Sequence, residues 1–171
     1  MKTVTISVRI RDGAYLTTIL NKLADEGHPI SAEEYDYGEI DSRPDILTKV
    51  LQTLDDADFL IIWVSGNLEY FKNSSMMIKK ARLRGIPVFV FNMNRERAEE
   101  QRCTFPYPDE DYELLYRYAL LGGPSNLKGM GLWMLNTLSG EHNELPDPMM
   151  PPAQGIYLHG CDDISFETHI P

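Results

Sequence analysis

The sequence predicts an α/β domain of three layers, with a sheet between two layers of helices, and three observations lead there. Residues 59–64, FLIIWV, form an unbroken apolar run between Asp58 and Ser65-Gly66, the pattern of a strand buried on both faces. Residues 86–91, IPVFVF, repeat that pattern. Around these runs lie segments whose apolar residues recur at helical spacing, so that strand and helix alternate four times.

In chain order, residues 3–10 alternate strictly, with Val4, Ile6, Val8 and Ile10 on one face and Thr3, Thr5, Ser7 and Arg9 on the other. This predicts the first strand. Residues 13–26 place Tyr15, Leu16, Ile19, Leu20 and Leu23 on one helical face, and Gly27 ends the helix. Residues 30–37 make a strand carrying Glu33, Glu34 and Asp36, charges typical of a sheet edge. Residues 43–57 predict a helix with Ile46, Leu47, Val50, Leu51 and Leu54 inward. After the run at 59–64, a third helix is expected over 70–84, stopped by Gly85, and after the run at 86–91 a short charged helix to about Arg102. Leu114, Leu115, Tyr118 and Leu121 then mark a helix that Gly122-Gly123 closes. Pro124 opens another, with Leu127, Met130, Gly131, Met134, Leu135 and Leu138 on one face. Residues 144–153 are a proline-rich connection, and residues 155–158 are expected as a last strand.

Strand-helix-strand units need right-handed crossovers and build a parallel sheet covered on both sides. The expectation is therefore a single flavodoxin-like domain over 1–171, three-layer α/β/α, with a five-stranded mainly parallel sheet of order 2-1-3-4-5. One feature pulls against it. A central first strand must bury its Thr and Ser face, whereas alternation ordinarily marks a strand with one wet face, so an order that exposes the first strand is the alternative.

Composition narrows the function. With 43% apolar and 10% aromatic residues the chain is globular in character, and its net charge of −10 argues against nucleic-acid or anionic-membrane partners, which select clustered Lys and Arg. No apolar run approaches the ~20 residues of a membrane helix. Cys103 and Cys161 form no CxxC pair, so a reduced, cytoplasmic setting is the simplest reading.

In open parallel sheets ligands bind beyond the carboxyl ends of the strands. Here those ends carry Arg11 and Asp12, then Ser65, Gly66 and Asn67, then Asn92, Asn94 and Arg95. Helix amino termini at that edge favour anions, and Arg11 and Arg95 would add charge-assisted hydrogen bonds. Tyr70 and Phe71 follow as aromatic surface, and Gly122 and Gly123 are either a helix cap or part of a binding loop. No GxGxxG or GxxxxGK[ST] loop is present, which argues against dinucleotide or ATP binding by the usual loops. A flavin suits the architecture, but the turn after the first strand lacks the Ser, Thr and Gly of a phosphate loop. His159, Cys161 and His169 could hold zinc or cobalt, although their spacing matches no recognised pattern. Met76 is expected in the core or crevice, and Met149-Met150, set among prolines, against a ligand or a neighbouring domain.

The stretch YRYALLGGPSNLKGMGLWMLNTL, residues 116–138, followed by Gly155-Ile156-Tyr157, resembles one family, the large subunit of cobalt and magnesium chelatases, known as CobN and ChlH/BchH. Asp58-Phe59, Tyr70-Phe71 and Gly85-Ile86-Pro87 stand in the same order as in that family. Two positions depart from it. Ser65-Gly66 stands where the family has two glycines, and Leu158 intervenes before His159. The resemblance implies the amino-terminal part of a much larger subunit, with a tetrapyrrole (corrinoid or porphyrin) as substrate and cobalt or magnesium as the inserted metal. It also implies ATP and Mg handled by AAA+ partner subunits, no cofactor held by this domain, and no metal insertion by this chain alone. The competing expectations are a non-enzymatic interaction module and a flavin-type binding domain.

Overall fold

The structure, a computed structural model, describes residues 1–7, 12–64 and 66–150. Four strands, β1 (Lys2–Ser7), β2 (Ser31–Asp36), β3 (Phe59–Val64) and β4 (Val88–Asn92), form one parallel sheet in the order β2-β1-β3-β4. For the described residues this corrects the expected five strands to four. The expected fifth, 155–158, lies outside the described residues.

The helices are α1 (Asp12–Asp25), α2 (Tyr37–Ser42), α3 (Pro44–Thr53), α4 (Ser74–Leu83), α5 (Arg95–Glu100), α6 (Asp109–Leu121) and α7 (Gly123–Ser139). Two consecutive helices occupy this region: α3 is the helix expected over 43–57, and α2 before it was not expected. Asp36 caps the first, its carboxylate accepting from the Glu39 amide at 2.9 Å. Arg43 is held extended before Pro44, as the pyrrolidine ring demands of its predecessor, and Pro44 opens the second. Likewise the helix expected from Tyr70 begins at Ser74, after a 3-10 turn at Leu68–Tyr70.

Each face of the sheet buries its own core. Val4, Ile6, Leu60, Ile62, Val88 and Val90 pack with residues of α2, α3 and α4 on one side. Phe59, Ile61, Phe89 and Phe91 pack with α1, α5, α6 and α7 on the other. The second side is aromatic: Phe105 sits 5.8 Å from the rings of Phe89, Tyr112 and Trp133. The alternative order with β1 exposed is excluded, because β1 lies between β2 and β3 and both Thr3 and Thr5 are fully buried. Their hydroxyls find no partner, and each such group costs about 1–3 kcal/mol. Ser7, nearer the strand end, donates to Glu34 at 2.7 Å.

Two glycines let α7 approach its neighbours closely. A Cβ on Gly131 would lie 2.5 Å from Leu23 Cδ1 of α1, and one on Gly129 would lie 2.6 Å from Tyr118 Cζ of α6. Beyond α7 the proline-rich segment cannot bond to itself, and side chains hold it instead. Asn136 donates to the Asn143 carbonyl at 2.8 Å and accepts from its amide at 2.7 Å. The Tyr118 hydroxyl donates to the Pro146 carbonyl.

Gly129→Ala tests the α6–α7 contact. In an unobstructed helix the change would stabilise by about 1 kcal/mol, but here the buried Tyr118 ring must shift, an overpacking cost of about 1–3 kcal/mol. A net loss of stability is expected in urea unfolding, and a gain would show that the helices are not in contact there.

Candidate functional site

The carboxyl edge of the sheet gathers the loops after β3 and β4, and Asn92 ties them together. This residue ends β4 and is almost fully buried. Its Nδ2 donates to the Gly66 carbonyl in the β3 loop, and its Oδ1 accepts from the Asn94 amide at 2.9 Å. Asn94 in turn caps α5, accepting from the Arg97 amide at 3.2 Å. Arg97 reaches back and donates to the Asn67 side chain. The expected residues Gly66, Asn67, Asn92 and Asn94 are thus one hydrogen-bonded unit, with Arg97 as a member that the sequence reading missed. The helical period of 95–100 signals a helix but does not reveal which arginine turns toward the β3 loop.

Tyr70 is 71% exposed at this edge and Met93 69%. Gly66, at φ 103°, takes a left-handed conformation beside the Tyr70 ring. Phe71 lies beneath, buried and stacked on Tyr37 at 5.6 Å, so it supports the loop from the core instead of presenting aromatic surface.

Arg95 points to α6. It forms ion pairs with Glu113 and Glu99 and lies over the Tyr116 ring, 4.5 Å from its centroid. Glu113 holds the guanidinium pKa above its ordinary value, and the charge expected to meet an anion is met within the protein. Tyr116 donates to the Asn92 carbonyl at 3.1 Å, which fastens α6 to the end of β4. Burial, aided by Glu99, pushes the neighbouring Tyr112 phenol up to about 12.

Gly122 and Gly123 stand apart from this unit. Both have positive φ, 61° and 77°, and form the joint between α6 and α7. The Gly122 carbonyl accepts from Asn126 Nδ2 at 2.6 Å, and Asn126 also pairs with both backbone groups of Met149 at 2.7 and 2.9 Å. Asn126 therefore latches the proline-rich segment to the helix joint. Of the methionines, Met77 is fully buried and Met76 is 42% exposed, which reverses the expectation for Met76. Arg11, Ser65, His159, Cys161 and His169 lie outside the described residues, and of Asp12 only its place at the start of α1 is described. Among the described residues no group of three or more His, Cys, Asp or Glu could hold a metal, and no helix is long and apolar enough to cross a membrane.

No known family profile matches the sequence, and no curated protein matches it. Among solved structures, the chain is similar to the catalytic subunit of cobaltochelatase from Mycobacterium tuberculosis, with a TM-score of 0.61 and 14% sequence identity, covering 92% of this chain and 12% of that one. The two share a fold. This chain spans about an eighth of the length of that subunit.

Two predictions test the site's framework. Asn92→Ala leaves the Gly66 carbonyl and the Asn94 amide without partners, so a loss of about 1–3 kcal/mol is expected in urea unfolding, with faster hydrogen exchange at Asn94. Unchanged exchange there would mean that the two loops are not joined. The second prediction concerns pH. Tyr35 and Tyr112 are both pushed up to about 12 from about 10 in unfolded chains. A raised folded pKa contributes stability that is full below pH 10 and lost as pH climbs toward 12. Phenolate absorbance should show a late step near pH 12 that shrinks in Tyr112→Phe, and completion of the titration by pH 11 would refute the assignment.

Proposed function

We propose that this chain is a domain of the tetrapyrrole metal-chelatase large-subunit type, corresponding to that subunit's amino-terminal part, and that its carboxyl edge contributes to binding a corrinoid or porphyrin. The observation that carries this reading is the likeness to the cobaltochelatase catalytic subunit across 92% of the chain, taken with the order of motifs from Asp58-Phe59 to Gly155-Ile156-Tyr157. The chemistry of the edge is compatible. A tetrapyrrole is a flat apolar ring bearing acidic side chains, and Tyr70 and Met93, on the two loops that Asn92 joins, present exposed apolar surface. The Asn67-bound Arg97 supplies the nearest positive charge within that unit.

The chain alone is a binding and docking element. Insertion of cobalt or magnesium would require the remaining domains of the large subunit, and ATP and Mg would be handled by AAA+ partners. The exposure of Met149 and Met150, 57% and 81%, at the end of a latched segment favours a second role for this domain, in which that surface packs against a neighbouring domain.

Titration with a metal-free porphyrin, followed by its absorbance, tests the proposal. Saturable binding is expected, weakened about tenfold in Tyr70→Ala and in Met93→Ala, the effect of losing roughly 1.4 kcal/mol of ring contact. A flat titration with the intact protein would discard the cleft and leave the docking role. A yellow preparation with a flavin spectrum would point to the flavin class instead.

A further inference from the structure

Beside the carboxyl edge runs a groove of about 860 Å3, bounded by α4 on one side and by residues 100–104 on the other. Its upper end is the start of α4, and that start is uncapped. The side chain of Asn73, at the cap position, makes no capping bond and donates to Asp41 instead, at 2.8 Å. The Asp41 carboxylate also takes the amides of Lys72 and Asn73, at 2.8 and 3.0 Å. The Ser74 amide donates to the Phe71 carbonyl at 3.0 Å, and the two amides after it, of Ser75 and Met76, find no acceptor among the described residues. They are donors at the positive end of a ten-residue helix.

A second observation is independent of the helix. Ser74 lines the groove with 5% of its surface exposed, and its hydroxyl has no hydrogen-bond partner among the described residues. Unlike the Thr3 and Thr5 hydroxyls, the Ser74 oxygen is not sealed from the groove, so the small exposed part of this residue is a hydroxyl free to donate to a group that enters there. The charges agree. Lys72, Lys79 and Arg82 line the groove against Glu69 and Glu100, a local excess of cations on a chain whose net charge is −10. None of these three cations has an ion-pair partner among the described residues, whereas Lys80 and Arg84 on the same helix are paired with Asp55.

We propose that the α4 end of this groove binds a phosphate group carried on a small organic ester. The Ser75 and Met76 amides and the Ser74 hydroxyl would donate to the oxyanion, with Lys72 and Lys79 neutralising it. The groove is far larger than a bare phosphate, and Leu68 and Ile78 among its walls offer apolar surface to the rest of the ester. The proposed phosphate contacts include neither Tyr70 nor Met93, although Asn67 of the loop unit lines the same groove, and they do not depend on the tetrapyrrole reading.

The test is a nitrogen-15 amide spectrum of the intact chain titrated with inorganic phosphate and with phenyl phosphate. Saturable shifts of the Ser75 and Met76 amides are expected for both, with phenyl phosphate binding more tightly. Lys72→Ala combined with Lys79→Ala should weaken binding at least tenfold, and Ser74→Ala several-fold, while the dispersion of the remaining amides reports that each variant is folded. Absence of saturable shifts at Ser75 and Met76 would overturn the proposal. So would tighter binding of a tetraglutamate peptide than of phenyl phosphate, which would make the groove a dock for an acidic protein segment.

Discussion

The burial of β3 and β4 side by side, covered on both faces, is the constraint on which the rest of the molecule depends. Every residue of both strands is buried, so neither face can be left to water and the chain must supply helices to each. Parallel pairing then requires every connection to cross from one end of the sheet to the other, which sends the loops after β3 and β4 out at the same edge. The neighbouring β1 inherits the same condition, and its threonines are buried with unpartnered hydroxyls because the burial of β3 leaves no room for a wet face beside it.

That edge is made rigid by a few polar side chains placed where backbone groups would otherwise be orphaned. Asn92 serves the β3 loop through Gly66 and its own loop through Asn94, and Tyr116 reaches from α6 to the Asn92 carbonyl. The result is a fixed frame with Tyr70 and Met93 exposed upon it. Beside this frame the start of α4 keeps free donors, since Asn73 and Asp41 satisfy each other and not the first turn of the helix. A second frame lies at the α6–α7 joint. There two left-handed glycines turn the chain, and Asn126 ties that turn to Met149. Residues that read as a helix cap therefore also set the course of the proline-rich segment.

Much of this was legible from the order of residues. The apolar runs at 59–64 and 86–91, the face of Leu16, Leu20 and Leu23, and the GGP break all correspond to observed elements at nearly the expected bounds. The errors have local causes. The helix α2 escaped because its six residues, Tyr37–Ser42, are too few to show a helical period. Met76 was expected inward and is 42% exposed, because the face of α4 turned to the core carries Met77 and Ala81, four residues apart. At the site, Asn67, Asn92 and Asn94 were identifiable as loop residues after strands, but nothing in their spacing distinguishes a residue that binds a ligand from one that binds a neighbouring loop.

What the sequence determined by itself is the alternation of strand and helix, the two-sided burial of the central strands and the edge at which their loops emerge, because hydrophobic periodicity and turn chemistry act over a few neighbouring residues. Tertiary structure alone decided that Arg95 is held by Glu113 while Arg97 holds Asn67, that Phe71 turns inward, and that the start of α4 remains uncapped. Those outcomes depend on which side chains meet across long stretches of chain, 18 residues for Arg95 and Glu113, 30 for Arg97 and Asn67 and 32 for Asn73 and Asp41, and such meetings are settled by packing and by competition for hydrogen bonds, which no local pattern encodes.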